Sequence, residues 1–255
     1  MSKLASPDKF IDLSDYGRLP ATIFARQLKD TRLTPIHVTL LFGIAGLMAI
    51  YCILKGHYWT ASVFIILKSI IDAADGELSR VKNMPSYTGR YLDSIFDIIL
   101  NFLFLMSICY VSNASFLLTF LAFICMQLQG TLYNYYYVIL RNKSVGGDST
   151  SKIFENKSPK AFPCENQKAV DTLFTIFYIL YSVFDKTINL LDKDACHVKT
   201  FPHWFMTLVS IYGLGFQLLI IAVMLPLNLM AYIIPFFIVY SVFIFIFIGI
   251  RKVLF

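Results

Sequence analysis

Four aspartates carry the chemistry available to this chain. They stand in Asp72-Ala73-Ala74-Asp75-Gly76-Glu77-Leu78-Ser79-Arg80, then eight residues, then Gly89-Arg90-Tyr91-Leu92-Asp93-Ser94-Ile95-Phe96-Asp97. Spacings of three and four residues put both members of each pair on one face of a helix. Anions crowded this way repel by about 4 kcal/mol per close pair at an intermediate dielectric, so they stay ionised only around a strong cation. No His or Cys lies inside the stretch, and an all-oxygen donor set suits Mg²⁺ or Mn²⁺ better than zinc. The residues describe a metal site built to hold phosphate.

The elements that position these acids belong to a membrane. Of the 255 residues, 57% are hydrophobic and 15% are charged, and mean hydropathy is +0.66. A soluble domain is closer to one quarter charged, so the composition predicts an all-α, polytopic bundle forming one domain over residues 1–255. Apolar spans are expected near Thr39–Ile53, Tyr58–Ile71, Tyr91–Val111, Phe116–Leu140, Trp204–Leu225 and Leu227–Ile250, each near the length that crosses a bilayer. The acidic stretch then falls at the facing ends of spans two and three, and charges at such a place are functional by default.

Basic residues set the topology. With six spans, and with residues 170–192 as an interfacial helix, 20 of the 22 Lys and Arg fall on one side, as the positive-inside rule requires. That places both termini and the acidic site in the cytoplasm. Making 170–192 a seventh span would strand Lys193, Lys199, Arg251 and Lys252 outside. The net charge of +6 follows from this loop bias, so no nucleic-acid partner is inferred from it. A second surface helix is expected within Asp12–Arg32, in an N-terminal region covering residues 1–35. The polar loop 142–168 is either a cover for the site or a linker. Tyr133, Tyr135, Tyr136 and Tyr137 read as an interfacial aromatic belt. The five cysteines form no CxxC pair and read as reduced fillers; Cys164, Cys196, His197 and His203 match no zinc spacing. The first residues lack the apolar core of a cleaved signal peptide.

The pattern Asp72-x-x-Asp75-Gly76-x-x-Ser79-Arg80, eight residues, Gly89-x-x-x-Asp93-x-x-x-Asp97 resembles the signature of the CDP-alcohol phosphotransferases, also called CDP-alcohol phosphatidyltransferases. Every spacing of that 26-residue pattern is kept, with Ser79 where the family usually has Ala. Upstream, Leu33-Thr34-Pro35-Ile36-His37-Val38-Thr39 resembles the family's short motif at the start of span one. The resemblance implies transfer of a phosphate-linked group from a CDP-alcohol to a hydroxyl acceptor, with release of CMP. It implies that Asp72, Asp75, Asp93 and Asp97 hold two Mg²⁺ or Mn²⁺ ions, and that Asp97 is also the general base. Arg80 would grip phosphate, and Gly76, Ser79, Ser86 and His37 would contact the CDP moiety. A homodimer is implied in the same way.

Lys68 lies outside the family pattern, four residues before Asp72 on the same helical face. It reads either as an intramembrane ion pair or as a wall of the acceptor pocket. The expected function is a phospholipid-synthesis enzyme of the cytoplasmic membrane face (the inner membrane in a bacterium), moving phosphatidyl from CDP-diacylglycerol to a small polar alcohol. The alternative reverses the partners, with CDP-choline or CDP-ethanolamine donating to diacylglycerol or ceramide. A transporter or a silent scaffold fits less well, because the acids cluster at one membrane edge and no inverted repeat is visible.

Overall fold

The computed structural model describes residues 8–143, 155–163, 165–198 and 200–255. Among these, no residue is in a strand. Cys164, Lys199 and most of the polar loop's Gly- and Ser-rich part lie outside the described residues. A 3₁₀ turn at Leu13–Asp15 leads into α1 (Arg18–Leu28), and α2 (Pro35–Leu54), α3 (Tyr58–Val81), α4 (Tyr87–Ser112) and α5 (Phe116–Lys143) follow. After the loop come α6 (Gln167–Leu191), α7 (His203–Val209), α8 (Leu214–Met224), α9 (Met230–Tyr240) and α10 (Val242–Leu254).

Local chemistry explains the helix boundaries. Thr34 and His37 form a reciprocal cap ahead of Pro35 at the start of α2, where proline's missing N–H costs nothing. Ser86 caps α4 by accepting from the Gly89 amide at 2.8 Å. Asn113 ends α4 in a left-handed conformation, φ 53°, which Asn tolerates better than most residues.

Five helices, or six if the bent pair α7 and α8 is one span, are long and apolar enough to cross a membrane. The two members of that pair meet at 52°, and α9 with α10 makes the last candidate span. α3 is as long but carries Lys68, Asp72 and Asp75 in one window, so composition alone passes it over. α6 passes, although only 11% of its apolar window is buried. Its contacts nevertheless keep to one end of the bundle. Phe174 and Phe177 meet Tyr91 in the first turns of α4, and the Tyr181 hydroxyl donates to the Ser94 carbonyl. The far end of α6 meets the last three turns of α5, where the Tyr135 hydroxyl lies 3.4 Å from Asn189, and the end of α10, where Lys252 donates to the Leu191 carbonyl at 3.0 Å. A helix of 25 residues is about 37 Å long, yet it touches α4 and α5 only where the first begins and the second ends.

The core that positions the site lies where α2, α3 and α4 meet. A Cβ on Gly46 would come within 2.7 Å of Leu100, and one on Gly43 within 3.0 Å of Phe96. These two glycines let α2 press against α4. α3 is held against both α1 and α2, so its acidic face turns toward α4.

The tyrosines of α5 do not form the expected belt. Tyr135 and Tyr136 are buried, and the Tyr136 hydroxyl donates to Asp192 at 2.6 Å. Tyr133 instead donates to Asp12 at 2.5 Å, pinning the N-terminal segment to the bundle. The polar neighbours these hydroxyls needed come from segments far away in sequence, which a local aromatic run does not reveal.

Candidate active site

One cavity of about 760 Å³ opens among α3, α4, α5, α6 and the N-terminal segment, and the four motif aspartates line it. Asp72 and Asp75 come from the second half of α3 and Asp93 from the second turn of α4. One carboxylate oxygen from each of these three lies within 4.8 Å of the others. Thr39 of α2 donates to Asp75 at 2.8 Å and so fixes its rotamer. Asp93 Oδ1 is buried with no hydrogen-bond partner. An unanswered carboxylate oxygen is expensive in a protein interior, and two acids beside it make matters worse. A divalent cation resolves both difficulties, so the residues fit Mg²⁺ or Mn²⁺.

Asp97 stands apart from this trio. Its Oδ1 is bonded to Lys68 Nζ, which also reaches Asp72 Oδ2 at 2.7 Å. Lys68 is 1% exposed and sits over the Phe42 ring, 4.6 Å from its centroid. The lysine ties the acid of α3 to the acid of α4. It is not among the residues lining the cavity and meets the site through Asp72 and Asp97. The i, i+4 pairing with Asp72 is present as expected; the second tie, to Asp97, depends on helix packing and has no local signature.

Arg80 lines the cavity, pairs with Glu77 at 2.9 Å, and keeps a buried Nε without a partner. Gly76 faces the same space, and a Cβ there would sit 3.6 Å from the Arg80 guanidinium. The backbone tolerates a side chain at 76; what the side chain would occupy is cavity beside the arginine. Ser79 also lines the cavity, but its hydroxyl donates to the Met84 carbonyl at 2.8 Å.

Two residues expected at the nucleotide also serve helix N-termini, and one of them, Ser86, still lines the cavity. The Ser86 hydroxyl caps α4 and donates to Glu165 at 2.7 Å. His37 does not line the cavity; its Nδ1 accepts from the Thr34 amide at 3.0 Å. In both cases an exposed helix N-terminus needed a partner, and the nearest side chain supplied it.

Sequence reasoning missed Glu165. It accepts from Ser86, from the Thr88 amide at 2.8 Å and from the Tyr87 amide at 3.2 Å. Partial burial acts to raise its pKa, but these donors outweigh burial and hold the carboxyl below its ordinary value. Glu155 is a second such residue: it pairs with Arg90 at 2.5 Å and accepts from the Tyr91 hydroxyl at 2.8 Å. Both bring the second half of the polar loop onto the start of α4, about 70 residues away in sequence.

An all-α membrane bundle whose cavity gathers three acids from two adjacent helices defines a phosphate-handling membrane enzyme. The chain matches the model of the CDP-alcohol phosphatidyltransferase family over residues 32–248. It therefore belongs to that family, and it transfers a phosphate-linked alcohol group from a CDP-alcohol. A search of the curated proteins found no match.

Proposed function

We propose that the protein makes a membrane phospholipid by moving phosphatidyl from CDP-diacylglycerol to the hydroxyl of a small polar alcohol. The observation that carries this reading is the carboxylate trio around the unpartnered Asp93 oxygen. Asp72, Asp75 and Asp93 would hold a divalent ion and Asp97 would help to hold a second; such ions neutralise a diphosphate and offset charge on attacking and leaving oxygens.

The chain's own groups do the rest. Arg80 binds phosphate oxygens through the guanidinium edge not used by Glu77. Gly76 leaves room beside it for the nucleotide, with Ser79 and Ser86 on the same wall. Lys68 holds Asp97 by Oδ1, which leaves Oδ2 as the atom that takes the acceptor's proton. The acceptor oxygen forms a bond to the phosphorus that carries the diacylglycerol, and the bond from that phosphorus to the bridging oxygen breaks. CMP leaves with the electron pair. Phosphoryl chemistry of this kind needs little beyond in-line positioning and charge stabilisation.

The cavity and both helix ends that form it would face the cytoplasm, with α1 and α6 at the membrane surface and a homodimer as the assembly. The confinement of α6 to one end of the bundle supports its surface placement. The test uses detergent-solubilised protein with Mg²⁺ or Mn²⁺, radiolabelled CDP-diacylglycerol and separate alcohols, scored by CMP and lipid product. The expected result is CMP release with one alcohol. Release from CDP-choline or CDP-ethanolamine alone would overturn the donor assignment.

A further inference from the structure

Past the carboxylates the same cavity continues along uncharged polar side chains. Asn101 stands one turn beyond Asp97 on α4, is 4% exposed, and its Oδ1 has no hydrogen-bond partner. Gln127 and Thr131, one turn apart on α5, are likewise buried and line the cavity with it. Their neighbour Gln217 shows how this bundle treats an amide that serves structure. Its Nε2 donates to the Met126 carbonyl and to Gln129, each at 3.0 Å. Gln129 in turn donates to the Phe237 carbonyl at 2.9 Å. Among the described residues, Asn101 Oδ1 is the one buried side-chain amide atom without a partner, whereas Gln217, which lines the cavity too, is answered by protein.

We infer that Asn101, Gln127 and Thr131 form the subsite for an uncharged, hydroxyl-bearing part of the acceptor, an inference that rests on CMP-releasing transfer at this site and not on which partner carries the lipid. An amide and a hydroxyl each donate and accept, as an alcohol does, so a hydroxyl can satisfy all three. Membership of α4 one turn past Asp97 puts the subsite beside the group that takes the acceptor's proton. The three side chains offer no charge to pair with a carboxylate or a phosphate. The lysine beside Asp97, Lys68, is committed to Asp72 and Asp97. A site that hydrogen-bonds hydroxyls rejects ligands that leave its polar groups unpaired. Two sources share this chemistry: a free polyol, and the glycerol end of a diacylglycerol.

The test uses the full chain in nanodiscs with Mn²⁺. CDP-diacylglycerol is offered with myo-inositol, glycerol, serine or glycerol 3-phosphate, and CDP-choline with 1,2-dioctanoylglycerol. The inference expects an uncharged acceptor to give the fastest CMP release, and whether it is a polyol or the diacylglycerol identifies the source. For that acceptor, Asn101→Leu and Gln127→Leu should each raise the apparent KM about tenfold, with the donor KM held within about twofold. A charged acceptor as the best substrate, an unchanged acceptor KM, or equal rises in both constants would overturn it. Thermal unfolding separates this failure from failure of the reaction itself. If wild type releases no CMP with any pair, the proposed reaction falls. Stabilisation of wild type by myo-inositol or dioctanoylglycerol, absent in Asn101→Leu, would still sustain the subsite. An equal response of the two proteins would end it.

Discussion

Asp192 and Asp93 each bury a carboxylate oxygen in this bundle, and the chain treats them in opposite ways. Asp192, at the end of α6, is fully buried. It accepts from Arg251 Nε at 2.9 Å and from the Tyr136 hydroxyl at 2.6 Å, and Arg251 also pairs with its second oxygen. Asp93 lies among three other acids and keeps an oxygen that nothing in the protein answers. A buried charge needs a partner. Where the chain supplies one, the acid is a rivet joining α5, α6 and α10. Where the chain withholds one, the partner we propose is a divalent cation. The pair Lys68–Asp97 falls between these cases: the lysine answers one oxygen, and the other is the proposed proton acceptor.

This contrast breaks in different ways at its different points. Asp97→Asn should lower CMP release about a thousandfold without loss of folded protein, because it removes the proposed proton acceptor and weakens the hold on a second ion, while Lys68 keeps its bond to Asp72. Unimpaired turnover would remove Asp97 as base. Arg251→Met should act on stability instead. Leaving Asp192 buried and alone should cost about 3–5 kcal/mol, read as a lower thermal midpoint, with activity per folded molecule retained. If Arg251→Met abolished catalysis in well-folded protein, the two acids would not differ in kind.

Lys68→Met should lower kcat about tenfold to a hundredfold, because Asp97 loses its hold and drifts from the acceptor, while both KM values stay put. A rise in acceptor KM alone would return Lys68 to the acceptor pocket. The smallest effect belongs to Glu165. Its carboxyl is depressed in the folded state, so the hold it gives the α4 N-terminus is complete above the carboxylate's ordinary range. That hold is lost as pH falls through the depressed value. Limited proteolysis of the segment around Glu165 should therefore speed up only at strongly acidic pH in wild type, and at all pH values in Glu165→Gln. Equal rates in the two proteins at neutral pH would remove the clamp.

What was legible in the sequence is what depends on neighbours in the chain. Apolar runs marked the spans, and the spacing of Asp72, Asp75, Asp93 and Asp97 marked the site, because both signals repeat within a few helical turns. The Lys68–Asp72 pair was legible for the same reason. The tie from Lys68 to Asp97 was not, since it depends on Gly43 and Gly46 drawing α2 onto α4. Ser86 looked free for a nucleotide because its partner, Glu165, is 79 residues away. The five-residue run around Tyr135 looked like a belt because aromatic composition does not say which face is buried. Asn101 was passed over as one polar residue in an apolar helix; its meaning came from the cavity it faces.

Binding of Mn²⁺ tests the central claim most directly. Chelator-stripped wild type and Asp93→Asn, each in nanodiscs, are titrated with Mn²⁺ and followed by electron paramagnetic resonance, with CMP release measured on the same samples. The account predicts saturable Mn²⁺ binding that restores CMP release in wild type, and loss of both in an Asp93→Asn protein of unchanged thermal midpoint. Equally tight Mn²⁺ binding by the variant, or full CMP release from wild type in excess chelator, would contradict it.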